Sequence, residues 1–326
     1  MPHILIAGKL HPAGLALLDA TDGVTCTHVE EISEASYQPW LAQADGMVIR
    51  TQPMTAASVA KAERLQIVSR HGVGYDAVDV AALNARGIPL CIVGDVNSVS
   101  VAEHAMMQIL ACAKQLIRSD RAVRNGPWGW RNRLEQGEVS GKSLLIIGYG
   151  RIGRHLATMA AAFGMKISAH DPYLASKGWP EGHVACADDL AAALAGADFV
   201  SVHIPKADKP IIGVVELALM KRGAIIVNTA RGGIVDEAAL ADALRSGQIA
   251  AAALDVFDVE PPGPDHPLLA FDQVILTPHT AGLTAEAAER MAVASVQNVL
   301  DFFAGRLDPA LVVNAPATRG TKEPVK

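Results

Sequence analysis

Residues Gly141–Asp171 read GKSLLIIGYGRIGRHLATMAAAFGMKISAHD. An apolar run, Ser143–Ile147, leads into Gly148-Tyr149-Gly150-Arg151-Ile152-Gly153. A helical pattern follows (Leu156, Met159, Ala160, Phe163), and a second short run, Met165–Ala169, ends on His170-Asp171. Strand, glycine turn, helix, strand and acid in that order make the fingerprint of a dinucleotide-binding crossover unit. Gly148 permits the tight turn, Gly150 lets the backbone approach a pyrophosphate, and Gly153 lets the helix lie close on the sheet, with Tyr149, Arg151 and Ile152 completing the cofactor turn. The helix start adds free N–H groups and a partial positive charge for the phosphates. Asp171 stands 18 positions past Gly153, close to the spacing of about 20 at which a carboxylate meets the ribose hydroxyls. It repels a 2′-phosphate, and the following Pro172 and Tyr173 bring no cation to bind one, so NAD is favoured over NADP.

The rest of the chain sets bounds on this reading. At 326 residues it is long for one core and comfortable for two domains. Half of it (50%) is apolar and 19% is charged, which excludes disorder as its main state. A net charge of −6 without a basic run gives no footprint for nucleic acid or an anionic membrane. The apolar run Ile4–Ala7 is far too short for a signal peptide, and no stretch approaches a membrane span. Cys26, Cys91, Cys112 and Cys186 are scattered without CxxC spacing and read as reduced, packed thiols; no metal site is expected. A soluble, cytoplasmic protein is the expectation.

Strand and helix signals alternate from the start. Short apolar runs fall at Ile4–Ala7, Met47–Ile49, Ile67–Ser69 and Leu90–Val93, with helical patterns at Pro12–Ala20, Ala56–Ala62 and Val78–Ala85 between them. One long helix is predicted over Val99–Val123, capped by Ser98 or Ser100, and a loop containing Trp128 and Trp130 over Asn125–Ser140. After Asp171, strands are predicted at Phe199–His203, Ala224–Asn228, Ala251–Val256 and Val274–Leu276, with helices at Asp188–Ala195, Asp236–Ser246 and Ala285–Phe303; the polar tail from Pro316 is predicted mobile. The pattern predicts an α/β protein of two doubly wound parallel-sheet domains. A nucleotide domain, 99–285, is inserted into a substrate domain made of 1–98 and 286–326.

In an open parallel sheet, ligands bind beyond the carboxyl ends of the strands. The chemically distinctive residues follow the strands: the glycine turn, Asp171, His203 with Pro205, Thr229-Ala230-Arg231, Asp255, and Pro278-His279. Arg50 and His71-Gly72-Val73-Gly74 do the same in the first hundred residues. Such convergence suits an enzyme cleft. His71, His104, His170, His203 and His266 read as structural or peripheral to the chemistry, His104 because its helix carries an apolar stripe with Met106, Met107, Ile109 and Leu110. Trp128 and Trp130 are expected to anchor their loop by packing.

With these residues in hand, the chain resembles the D-isomer-specific 2-hydroxyacid dehydrogenase family from about Ile4 to Asn314. The matching segments are 72–76 (GVGYD), 97–104 (NSVSVAEH), 148–153, 228–236 (NTARGGIVD), 255–257 (DVF) with Glu260-Pro261, and 277–279 (TPH). The resemblance implies a Rossmann domain inserted into a flavodoxin-like one, and hydride transfer between NAD and C2 of a small 2-hydroxy or 2-oxo acid. On it His279 is the general acid/base, Glu260 fixes its tautomer and supports its charged form, and Arg231 binds the substrate carboxylate or C2 oxygen. Val73 and Gly74 offer backbone N–H groups to the carboxylate, Asn97 lies near the substrate, and Asp255 holds the nicotinamide carboxamide. It also implies a homodimer joined through the nucleotide domains.

Differences within the family narrow the substrate. Formate-oxidising relatives carry glutamine where Glu260 stands, and phosphite-oxidising ones a lysine at Val73. Arg50 matches an arginine that phosphoglycerate-oxidising relatives aim at the phosphate, but the second basic residue of some of them is Gln52 here. Without their added regulatory domain, feedback by serine is not expected. Hydroxypyruvate/glycerate or glyoxylate/glycolate comes first, 3-phosphoglycerate second, and a sulfonated or other anionic analogue stays open. An NAD-sensing, corepressor-like binding protein is the alternative of another class, because such relatives keep the Arg/Glu/His set.

Overall fold

The computed structural model describes residues 1–182 and 184–314; the polar tail predicted from Pro316 lies outside them. The described residues divide into two compact units, 1–97 with 284–314, and 98–283.

The first unit opens with β1 (His3–Ala7), α1 (Pro12–Asp19), β2 (Thr25–Val29) and α2 (Glu34–Tyr37). It continues with β3 (Gly46–Ile49), α3 (Ala56–Lys61), β4 (Ile67–Arg70), α4 (Val80–Ala85) and β5 (Leu90–Cys91). All pairings are parallel, in the order β2-β1-β3-β4-β5, the flavodoxin-like arrangement. The central strands read as unbroken apolar runs because helices cover both faces. Leu5, Met47, Ile49 and Val68 pack beneath the Tyr37, Val59 and Leu83 side. Ile4, Ile6 and Val48 face Leu18 and the later Ala292, Val296 and Val299. β2 escapes the sequence reading: at the sheet edge its Thr25-Cys26-Thr27-His28-Val29 buries no residue fully, so no apolar run betrays it.

The second unit contains α5 (Ser98–Ala113), α6 (Leu116–Asn125), β6 (Ser143–Ile147), α7 (Arg151–Ala162), β7 (Lys166–His170), α8 (Pro172–Lys177) and β8 (Ala185–Cys186). It then runs through α9 (Leu190–Gly196), β9 (Phe199–Val202), α10 (Val214–Leu219), β10 (Ala224–Asn228), α11 (Glu237–Arg245), β11 (Ile249–Leu254) and β12 (Val274–Leu276). The parallel sheet has the order β12-β11-β10-β9-β6-β7-β8. Counted from β6 this is the dinucleotide-binding order 3-2-1-4-5-6 with one strand added, and the reversal lies between β6 and β9. α12 (Ala285–Phe303) belongs to the first unit. Among the described residues no helix is long and apolar enough to cross a membrane.

Several expectations need correction. The single helix predicted over Val99–Val123 is two: Gln115 takes a left-handed φ of 46° between α5 and α6. The Ala113 carbonyl, which a continuing helix would need, accepts the Gly137 N–H at 2.8 Å instead. The apolar face of α5 also ends there, since Ala102, Ala105, Met106, Ile109 and Cys112 are core while α6 buries nothing. Ser98 is the first helical residue and Ser100 the third, so neither stands at the cap. Cys91 and Cys112 are buried, but Cys26 is exposed and Cys186 intermediate, not packed. Trp128 is 65% exposed and anchors nothing by burial; its ring lies under the Arg131 guanidinium.

Candidate active site

The glycine turn is built by close contact. Gly148 has φ +95°, and a Cβ there would meet the His203 carbonyl at 2.5 Å; at Gly153 one would meet the Gly148 carbonyl at 2.3 Å. Only hydrogen fits at either place. Gly150 differs, since beyond its own chain neighbours no protein atom lies within 4 Å of the Cβ it lacks. That leaves room for an outside group against the start of α7, where Gly150 itself stands at the N-cap and Arg151-Ile152 open the first turn. Asp171 caps α8: its Oδ1 accepts the Leu174 N–H and its Oδ2 the Tyr149 N–H, both at 2.9 Å. Two of its acceptor positions are thereby fixed, and a carboxylate has about four. The Tyr149 ring stacks on Trp179 at 5.2 Å.

Farther along the same edge, His203 follows β9 with Nε2 2.8 Å from Ser201 Oγ. Its Nδ1 and the Thr229 hydroxyl are buried without a partner. Burial pushes the His203 pKa down to about 3, so the ring is neutral. Orphaned polar atoms at two successive strand ends, beside the open cradle of Gly150, fit a polar dinucleotide. Pro205 lies exposed beyond them.

Arg231, Glu260 and His279 come together in this unit. His279 Nδ1 lies 2.7 Å from Glu260 Oε2, and the other oxygen of Glu260 accepts the Phe257 N–H at 3.0 Å. Burial raises the Glu260 pKa; the hydrogen bonds from His279 and Phe257 and the charges of His279 and Arg231 outweigh it, leaving the carboxyl below its ordinary value. His279 is about half exposed (51%), so Nε2 remains open to a reacting molecule. The loop carrying Arg231 is folded by Asn228, whose amide donates to the Arg231 carbonyl at 2.9 Å and accepts the Ala230 N–H at 3.0 Å. Gly232 presses on the other loop, where a Cβ would stand 1.8 Å from the Phe257 carbonyl. Arginine and acid are thus joined through backbone contact. Glu237 adds a brace, accepting the Asp258 N–H and facing His266 Nε2, each at 2.8 Å.

Asp255 is fully buried. Its carboxylate accepts the Thr277 hydroxyl at 2.6 Å and the N–H groups of Thr280 and Ala281 at 2.8 Å each. One acceptor position is left over, so its first structural task is to fasten the turn around His279.

Arg50, Val73, Gly74 and Asn97 belong to the other unit. Arg50 follows β3, where Gly8 leaves space: a Cβ there would stand 2.7 Å from the Arg50 Cβ. Gln52 is buried and its amide is tied to the Glu31 carbonyl at 2.9 Å. Val73 packs on Val93, Ala287 and Met291, Gly74 follows it directly, and Asn97 precedes α5 half-buried. The sequence reading passes over Arg70, which pairs in register with Ile49, the residue before Arg50. The buried His71 beside it has its pKa pushed down to about 4, by burial first and then by the charges of Arg50 and Arg70. Asn228, Glu237 and Thr277 are likewise missed as site builders. Asn228 and Thr277 sit inside quoted motifs, whereas Glu237 carries no signal beyond its place at a helix start.

Fold and site together define an α/β protein with a dinucleotide-binding sheet edge beside an arginine and a histidine–carboxylate pair. Residues 106–281 match the family described as D-isomer specific 2-hydroxyacid dehydrogenase, NAD binding domain, and the chain belongs to this family. It is similar to D-3-phosphoglycerate dehydrogenase of Methanocaldococcus jannaschii, 39% identical over 97% of this chain and 60% of that protein. Thus the chain spans about three-fifths of that relative's length. Glyoxylate reductase of Aeropyrum pernix is 37% identical, with 95% of this chain and 96% of the relative covered. Among solved structures, NAD-dependent formate dehydrogenase from Staphylococcus aureus in complex with NAD has a TM-score of 0.86 at 25% identity, covering 97% of this chain and all (100%) of that one.

Proposed function

We propose that the chain is an NAD-dependent D-2-hydroxyacid dehydrogenase acting on a short polar acid, hydroxypyruvate/glycerate or glyoxylate/glycolate. The observation that carries this reading is the 2.7 Å contact of His279 Nδ1 with Glu260. A carboxylate on one ring nitrogen fixes the tautomer and leaves Nε2 to exchange a proton with an oxygen at C2. Bound NAD supplies or accepts the hydride. The Gly148–Gly153 turn, Asp171, His203 and Thr229 would hold it, with the last acceptor position of Asp255 for its carboxamide. In reduction His279 gives its proton to the C2 oxygen as negative charge develops there, and the Arg231 guanidinium stabilises that charge. Glu260 compensates the imidazolium before transfer, and afterwards the neutral ring keeps its Nδ1–H on the carboxylate. In the other unit, the N–H groups of Val73 and Gly74 would hold the substrate carboxylate, with Asn97 and Arg50 as further substrate contacts.

The relatives favour a second reading, 3-phosphoglycerate as substrate, since the Methanocaldococcus relative carries that name. Gln52, a neutral amide bonded to backbone where a second cation would help a phosphate, supports the unphosphorylated acids. Comparing kcat/KM for hydroxypyruvate and 3-phosphohydroxypyruvate, with and without Arg50→Ala, decides between them. The first reading expects the unphosphorylated acid to be preferred; a preference of about 100-fold for the phosphorylated one, lost in Arg50→Ala, reverses the order.

The proposal includes a homodimer. Leu116, Ile117, Val123, Trp128 and Leu134 are exposed apolar side chains within one short segment of the nucleotide unit, which supports burial against a second copy. The buried, unpaired thiols of Cys91 and Cys112 support a reducing, cytoplasmic setting.

A further inference from the structure

His104 and Gln108 stand one turn apart on α5, off the apolar stripe that packs under the sheet. Gln108 is fully buried. His104 Nε2 lies 3.1 Å from the Thr277 hydroxyl, and the Gln108 amide nitrogen lies 3.3 Å from that hydroxyl and 3.1 Å from His104 Nε2. The Thr277 hydroxyl has one hydrogen, which goes to Asp255 at 2.6 Å. Its lone pairs are therefore what His104 meets, and an N–H at His104 Nε2 makes that contact a hydrogen bond. The Gln108 Oε1 is buried without a partner; a half-turn of the amide brings this oxygen to the same N–H and puts the amide nitrogen in its place.

Beyond Thr277 the network reaches the reacting side chain. Asp255 holds the N–H groups of Thr280 and Ala281 through its carboxylate and that of His279 through its carbonyl, all at 2.8 Å. His279 needs this restraint because its φ is +52°, a left-handed conformation that side chains other than glycine disfavour. Such a conformation persists only where its surroundings over-determine it.

We propose that His104 is a positioning residue for the reaction: through Thr277 and Asp255 it locks the left-handed turn that aims His279. This rests on the reading of His279 as the acid/base. It touches neither substrate nor reacting atoms; its effect is the orientation of the ring. Packing alone would make His104 replaceable by any ring of similar size. Donation to Thr277 makes it replaceable by a side chain that carries an N–H.

The test compares His104→Phe, His104→Gln and Thr277→Val with the parent and with His279→Ala in the purified full chain. Reduction of the best 2-oxo acid, NADH affinity, the thermal midpoint and amide exchange over 277–283 are measured together. His104→Phe and Thr277→Val are expected to lower kcat by about 10- to 100-fold through misplacement of the ring. In His104→Phe the NADH affinity stays at the parental value, every variant remains folded at the assay temperature, and the amides of Thr280 and Ala281 exchange faster. His104→Gln restores most of kcat. Parental kcat and exchange in His104→Phe, a loss that tracks a fallen midpoint or weakened NADH binding, or no recovery in His104→Gln overturns the proposal. If His279→Ala abolishes turnover and His104→Phe keeps the parental kcat, the inference alone fails. Undiminished turnover in His279→Ala sinks the acid/base reading and the inference with it.

Discussion

Glu260 keeps its charge against its burial, and that balance governs how the His279 ring works with pH. The carboxylate persists below the ordinary carboxyl range, so its support for the imidazolium is complete above that range and is lost only as pH falls through the lowered value. Glu260→Gln removes the charge and keeps the shape. The alkaline limb of the reduction profile should then move to lower pH, because the protonated ring loses its partner; an unmoved limb makes Glu260 a purely structural residue. At the cofactor edge, Asp171→Ala should weaken NADH binding and narrow its margin over NADPH, and titration of both nucleotides checks it. His71 bears on stability. Unfolded, it takes a proton near pH 6.5; folded, only near 4. Its contribution is therefore complete above pH 6.5 and is lost as pH falls toward 4, to a limit of about 3 kcal/mol. His71→Gln should flatten the pH dependence of urea unfolding across that window; an equal slope in both proteins places the effect elsewhere.

At the scale of elements, the glycine turn shows which of two opposed effects wins. Alanine at position 153, inside α7, gains about 1 kcal/mol of helix propensity. Its Cβ, however, would sit 2.3 Å from the Gly148 carbonyl, a backbone atom that cannot swing aside. Overpacking of this kind costs about 1–3 kcal/mol, so Gly153→Ala should lose stability and NADH affinity together; a more stable variant contradicts the packing account. This turn was legible because its glycines, apolar strand and final acid lie within one continuous segment. The central strands of both sheets were legible similarly, because buried strands read as apolar runs. The edge strands β2 and β8 and the surface helices α8 and α10 were not legible, since they bury too little to leave a period. The break at Gln115 escaped because the contact that makes it comes from Gly137, 22 positions away. The same holds at the site. Residue types and motifs nominated Arg231, Glu260 and His279, but the braces Asn228, Glu237, Thr277 and His104 act through contacts that only folding brings about.

For the whole molecule, nucleotide binding can be measured apart from turnover. At about 100 times its Kd, NADH should raise the free energy of unfolding by about 2.7 kcal/mol, and denaturant titration with and without it measures this. Absence of any shift would show that the Gly148–Gly153 edge does not hold the cofactor. In the proposed reaction His279, supported by Glu260, exchanges a proton with the C2 oxygen while hydride passes to or from NAD. The most direct test follows NADH oxidation by the parent and His279→Ala over hydroxypyruvate, glyoxylate, pyruvate, 3-phosphohydroxypyruvate and 3-sulfopyruvate, with NADH affinity measured for both proteins. Turnover of at least one acid by the parent, loss of that turnover in His279→Ala, and equal NADH binding in the two are expected. Tight NADH binding with no turnover of any acid, or equal turnover in both proteins, would overturn this role of His279.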